Sequence, residues 1–195
     1  KNVLLHTPEG VRDIYNRECE RKLYLNQKIH NVLKNYGYSD IETPTFEFFD
    51  IFSKEKGTVE SRKMYKFFDR EGNTLVLRPD MTPPMARCVS KYYMDEEMPI
   101  RFCYSGQTFI NSAEHQGKLK ERTQIGAELF GDNKADADCE TLAMTIEALL
   151  DCGLKEFQIE VGHALFFEGL LEECGLSEEE EENLRKLVEN KNFFG

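Results

Sequence analysis

These 195 residues spell out an α+β domain, a mostly antiparallel sheet flanked by helices. Two pairs of β-rich runs are each joined by a polar connection, and amphipathic helical segments stand before, between and after them. Strands that neighbour in sequence then pair directly, without the helical crossovers of a parallel sheet. Neither an internal repeat nor a low-complexity linker interrupts the pattern. Residues 1–195 are therefore expected to form a single domain, its helical part over 164–195 reading as the start of an insertion.

Leu25, Ile29, Val32, Leu33 and Tyr36 recur at helical spacing, and Gly37 stands where a left-handed cap belongs, so a helix is expected over residues 16–36. Residues 39–44 read as a short strand ended by Pro44, which lacks an N–H and holds Thr43 extended. A short helix is expected over 47–51. The runs 64–69 and 74–78 flank Arg70, Glu71, Gly72 and Asn73, whose turn chemistry makes a hairpin. Thr82 is placed to cap the next helix, with Pro83 and Pro84 in its first turn, where a missing N–H costs little. Met85, Ala86, Val89 and Tyr92 would face the core from it.

Runs 100–110 and 118–131 make a second, larger antiparallel hairpin across a polar loop, 111–117. Asp136 or Asp138 would cap a helix with Leu142, Ile146, Leu149 and Leu150 on one stripe, stopped by Gly153. Residues 157–161 read as a strand. Residues 164–176 and 178–190 read as two helices, the second opened by a capping box of Ser177 and Glu180. The consecutive glutamates from Glu178 to Glu182 occupy its first turn, where negative charge complements the helix dipole.

With 36 acidic and 25 basic side chains the net charge is −11, a field that repels polyanions, and no nucleic-acid partner is expected. No stretch approaches the roughly 18 consecutive apolar residues of a membrane-crossing helix, and residues 1–13 lack the apolar core of a signal segment. The six cysteines (Cys19, Cys88, Cys103, Cys139, Cys152, Cys174) include no C-x-x-C pair, and the four histidines show no metal spacing. Reduced thiols, a cytoplasmic location and no metal site are the expectation. Phosphate-binding glycine loops, dinucleotide fingerprints and hydrolase motifs are all missing, and no cofactor is expected.

Strand parity picks out a candidate ligand surface. Over residues 124–128 a period of two puts Gln124, Gly126 and Glu128 on one face and Ile125 and Ala127 on the other. A strand glycine often marks the place where another group comes close to the backbone. Asp80 and Thr82, just past the small hairpin, add an acceptor and a hydroxyl. Carboxylates, an amide and a hydroxyl with no nucleophile suit recognition of a cationic amine, such as that of a free amino acid, better than bond breaking. The plainer reading has Asp80 capping the helix near Thr82 and Glu128 paired with an arginine across the sheet. Lys118, Lys120 and Arg122 make a basic loop that either holds an acidic group or protects a hairpin edge.

The segments Pro8-Glu9-Gly10-Val11-Arg12-Asp13, Tyr36-Gly37-Tyr38 through Thr43-Pro44, Leu77-Arg78-Pro79-Asp80-Met81-Thr82, Arg101 through Phe109 and Gln124 through Gly131 occur in the order of a class II histidyl-tRNA synthetase catalytic domain, which nearly the whole chain resembles. The stretches from Pro79 to Arg87, Ala135 to Asp138 and Val161 to Leu171 resemble one branch of that superfamily, the regulatory subunits of ATP phosphoribosyltransferase. The resemblance implies a class II synthetase-like fold, continued beyond residue 195 in a longer chain. In the synthetases an arginine follows the aromatic residue of the first long strand and holds the ATP α-phosphate and the amino-acid carboxylate. Here Ile110 follows Phe109, Ser112 stands where an acidic residue is expected, and residues 114–123 lack the family's arginine and aromatic pattern.

Asp80, Thr82, Gln124 and Glu128 match places that contact histidine in the synthetases. The resemblance thus implies a non-catalytic subunit that partners the short-form ATP phosphoribosyltransferase catalytic subunit in the first step of histidine biosynthesis, with histidine as effector. It also implies a homodimer through the 36–44 region. An active histidyl-tRNA synthetase with a divergent second motif is the alternative, and a pure dimerisation scaffold a third.

Overall fold

In the computed structural model, which describes residues 3–53, 59–111 and 118–189, the apolar spacing after residue 16 becomes helix α1 (Asn16–Asn35). Gly37 follows at φ +84°, its N–H donating to the Lys34 carbonyl. Strand β1 (Ser39–Asp40) is shorter than the expected 39–44. Ile41 still donates to the Cys103 carbonyl (3.1 Å), but the carbonyls of Thr43 and Pro44 accept from the Arg78 guanidinium and so leave the ladder.

The expected helix over 47–51 is instead strand β2 (Phe46–Phe48) followed by a single turn, α2 (Asp50–Ser53). Phe46 and Phe48 point outward and Glu47 inward, a period of two. The buried Glu47 carboxylate is paired with Arg87 (Nε 3.1 Å, Nη2 2.6 Å), as a buried charge must be. Strands β3 (Lys66–Phe68) and β4 (Thr74–Leu77) form the small hairpin as expected, and Asp69 accepts from the backbone and side-chain amides of Asn73 across its turn. β4 is the middle strand of an antiparallel β2-β4-β3 sheet over a core of Phe52, Met64 and Val76.

Helix α3 (Thr82–Tyr92) starts after Met81, and the Thr82 hydroxyl does not cap it. Met85 and Val89 are buried as expected, whereas Tyr92 is exposed; the neighbouring Tyr93 instead packs edge-on against Phe102 (5.1 Å between centroids). The large hairpin is β5 (Ile100–Phe109) and β6 (Glu121–Phe130), antiparallel throughout. β1 lies on the outer side of β5 and runs parallel to it, so this second sheet, β1-β5-β6, is mixed. One face carries Cys103, Ile125, Ala127 and Leu129 against Val32, Leu33, Met144 and Ala148. The other carries Phe102 and Tyr104 against Met81, Met85 and Val89 of the α3 region.

Helix α4 (Ala135–Asp151) begins after Lys134, so Asp136 and Asp138 lie in its first turn and neither caps it. Its buried face is Ala137, Met144 and Ala148, while Ile146 and Leu150 of the expected leucine stripe are exposed. Alanines allow close approach to α1 and the sheet, and the flexible Met144 fills the remaining gap. The Arg101 guanidinium grips Glu140 of α4 through two hydrogen bonds (2.8 and 2.7 Å), and the Tyr38 hydroxyl donates to the same carboxylate. This ion pair holds the Glu140 carboxyl below its usual range.

Residues 1–155 form one compact unit and 156–195 a second. In the second, α5 (Ala164–Cys174) ends at Gly175 in the left-handed conformation, and α6 (Glu178–Glu189) follows. Ser177 donates its N–H to Glu180 (2.9 Å), one half of the expected capping box, while its hydroxyl donates to the same carboxylate (2.7 Å) instead of accepting a backbone N–H. The strand expected over 157–161 does not form: a strand needs a second strand to take its backbone groups, and the secondary structure of this unit is helical among the described residues. No helix of the described residues is long and apolar enough to cross a membrane.

Candidate functional site

The face of β6 that parity selects is the face that meets α3. Gln124, Gly126 and Glu128 stand opposite Gly106, Tyr104 and Phe102 in the antiparallel register, so these six residues share one surface. The turn between β4 and α3 brings Asp80 and Thr82 to the same surface. Thr82, released from capping, donates its hydroxyl to Glu128 Oε1 at 2.7 Å. Gln124 donates its amide to Asp80 Oδ1 at 3.1 Å, and Asp80 also accepts the Met81 N–H at 2.7 Å. All four expected residues are thereby joined in two hydrogen-bonded pairs.

Tyr104 links the pairs, and the sequence reading passed it over. Its hydroxyl lies 3.4 Å from both Gln124 Nε2 and Glu128 Oε1, accepting from the amide and donating to the carboxylate. The ring fits because Gly126 faces it: a Cβ at residue 126 would stand 2.7 Å from the tyrosine oxygen and 2.9 Å from Cζ. The signal was present, since a strand glycine implies a bulky neighbour across the ladder. Finding that neighbour required the register, which the sequence does not state.

Burial sets the electrostatics. Glu128 is half-buried and its carboxyl is pushed above the usual range, chiefly by desolvation and further by the Asp80 charge, against the opposing pull of the Thr82 and Tyr104 hydroxyls. The buried Tyr104 phenol is raised well beyond its ordinary value, first by desolvation and then by Glu128 and Asp80, and stays a proton donor. The plain reading in which Glu128 pairs with an arginine across the sheet does not hold: its partners among the described residues are hydroxyls, and Arg101 serves Glu140 instead. The result is a half-buried anionic surface with donors and acceptors fixed in place. A cationic amine would find its countercharge there without rearrangement.

The Ile110 side chain just past β5 offers no such grip on an anion. Ile110 is half-buried, with its backbone N–H given to the Lys120 carbonyl (2.8 Å). Arg122 donates through Nε to the Leu119 carbonyl at 3.2 Å. Ser112 and residues 114–117 of the intervening loop lie outside the described residues. An alkyl group at residue 110 supplies neither charge nor donor for a transferring phosphoryl group.

A family model described as histidyl-tRNA synthetase matches residues 10–195. An ATP phosphoribosyltransferase regulatory subunit from Acetivibrio thermocellus is 45% identical over 98% of this chain and 46% of its own length. One of the same description from Ruminiclostridium cellulolyticum is 43% identical over 98% and 46%. Among solved structures, an ATP phosphoribosyltransferase regulatory subunit/histidyl-tRNA synthetase from Bacillus halodurans superposes with a TM-score of 0.88 at 35% identity, covering 98% of this chain and 50% of that one. Apo histidyl-tRNA synthetase from S. aureus superposes with a TM-score of 0.64 at 28% identity, over 77% and 35%. The chain spans about half the length of the curated relatives it matches.

Proposed function

We propose, since this chain belongs to the histidyl-tRNA synthetase family, that the protein containing it is a non-catalytic regulatory subunit of ATP phosphoribosyltransferase. It would serve the short-form catalytic subunit in the first step of histidine biosynthesis. The observation that carries this reading is Ile110, directly after β5, where the resemblance places the family's ATP-gripping arginine. Relatives at 43–45% identity bearing the regulatory-subunit name support it.

In this reading the scaffold has given up adenylation and kept a pocket for the amino acid. Asp80, Thr82, Gln124 and Glu128, with Tyr104 between them, would hold the cationic end of histidine. Feedback then requires histidine to favour one state of the complex over another, since an effector shifts an equilibrium only by its differential affinity. The assembly would be cytoplasmic and hetero-oligomeric, with the regulatory chain itself dimeric through the 36–44 region.

The experiment is histidine-dependent exchange of labelled pyrophosphate into ATP by the full-length protein. No exchange above the no-enzyme background is expected, because the transition-state charge has no guanidinium to meet it. Exchange at synthetase-like rates would overturn the reading and restore an active synthetase.

A further inference from the structure

On the sheet face away from the candidate site, three metal-ligating side chains of three kinds converge: His30 of α1, Asp40 of β1 and Cys103 of β5. Topology puts them there. The parallel register of β1 and β5 sets Asp40 beside Cys103, and α1 crosses above with His30 reaching down. His30 Nε2 lies 2.6 Å from Asp40 Oδ1, Cys103 Sγ lies 3.6 Å from the same oxygen, and all three ligand atoms are within 4.8 Å of one another. They line a cleft of about 500 Å³ with Ile41, Glu42 and Ser105. Cys103 is fully buried at its floor, while the side chains of His30 and Asp40 are 35% and 61% exposed, which gives an ion a path in.

We propose that His30, Asp40 and Cys103 bind a divalent ion of borderline softness, with Zn²⁺ as the natural occupant. An imidazole nitrogen, a carboxylate oxygen and a thiolate sulfur are the mixed donor set such an ion takes. Bond lengths of about 2.0–2.3 Å place tetrahedral donors about 3.3–3.7 Å apart. The Asp40–Cys103 pair already stands at that spacing. The His30–Asp40 pair has to open, which rotation of two partly exposed side chains supplies. Lys34 is bound to the other oxygen of Asp40, Oδ2 at 3.0 Å, and leaves Oδ1 for the metal. The Cys103 thiol gives up its proton as the ion enters, so thiolate and carboxylate together balance its two charges. The fourth corner is left to water. The ion would tie α1 to both strands, one residue from Tyr104 on the opposite face.

The test uses full-length protein, reduced and stripped with chelator, titrated with Co²⁺ alone and then with Zn²⁺ alone. One equivalent of Co²⁺ is expected to give a thiolate-to-cobalt charge-transfer absorption and the visible bands of a four-coordinate centre, both bleached by Zn²⁺. Cys103→Ser removes the charge-transfer band, and Cys139→Ser, at an exposed thiol, leaves it unchanged. Should Cys103→Ser fail to fold, His30→Ala decides, since it alters a partly exposed helix position and should weaken binding at least about tenfold. A missing thiolate band, or a band of full affinity in His30→Ala, overturns the proposal.

Discussion

Arg78→Met is expected to lower folding stability by about 3 kcal/mol, because it strips the partner from the buried Thr43 carbonyl and from two partly buried ones. The Arg78 side chain is buried, and its guanidinium donates to Gln107 O at 2.8 Å, Thr43 O at 2.7 Å and Pro44 O at 3.3 Å. It thereby joins the segment after β1 to β5. Burial lowers its affinity for a proton, an effect that the nearby Glu42 and Glu47 charges partly offset. Removing the charge therefore recovers some desolvation cost, but each orphaned carbonyl costs about 1–3 kcal/mol. Lysine should not rescue it, since an ammonium lacks the planar fork that reaches carbonyls on two sides. Gly106→Ala attacks the same network, because its Cβ would fall on the Arg78 guanidinium. Urea titration of the full-length protein checks this as a lower midpoint at unchanged slope; a loss below 1 kcal/mol would mean that the carbonyls find other partners.

Glu128→Gln is expected to weaken histidine binding about ten- to hundredfold, the loss of one charge-assisted hydrogen bond worth about 1.5–3 kcal/mol. The same change should raise the melting temperature of the ligand-free protein at neutral pH. The Glu128 carboxyl is raised in the folded state, so the fold holds its proton more tightly than the unfolded chain does. The stability this contributes is fully present below the ordinary carboxyl range and is lost as pH climbs through the raised value. At neutral pH the folded protein carries a partly desolvated charge that glutamine does not have, while the glutamine oxygen still accepts from Thr82. The gain should vanish in acid. Calorimetric titration with histidine, paired with melts at neutral and acidic pH, reads both effects. Undiminished affinity would show that the amine does not sit against Glu128.

Much of this site was legible because strand parity is a local property. Gln124 and Glu128 had to share a face once residues 121–130 were extended, and Asp80 with Thr82 had to sit at the start of α3 once Pro83 and Pro84 marked its first turn. Tyr104 was missed because its place depends on the β5–β6 register, which sets it opposite Gly126. The Thr82 hydroxyl was read as a cap because capping is a local rule, and a carboxylate 46 residues away won the competition. On α4 the leucines looked like the core face, but close packing against α1 selected the alanines and Met144. Residues 47–51 read as a helix, but Glu47 and Phe48 belong to β2, where the partly exposed Arg87 pairs with the buried Glu47. His30, Asp40 and Cys103 carry no spacing signal, since only the parallel pairing of β1 with β5 brings them together.

Turnover of a short-form ATP phosphoribosyltransferase catalytic subunit, measured with and without the full-length protein containing this chain, tests the regulatory role most directly. Activity should appear only when the two are mixed and should fall when histidine is added. A catalytic subunit that turns over equally well alone would contradict the account.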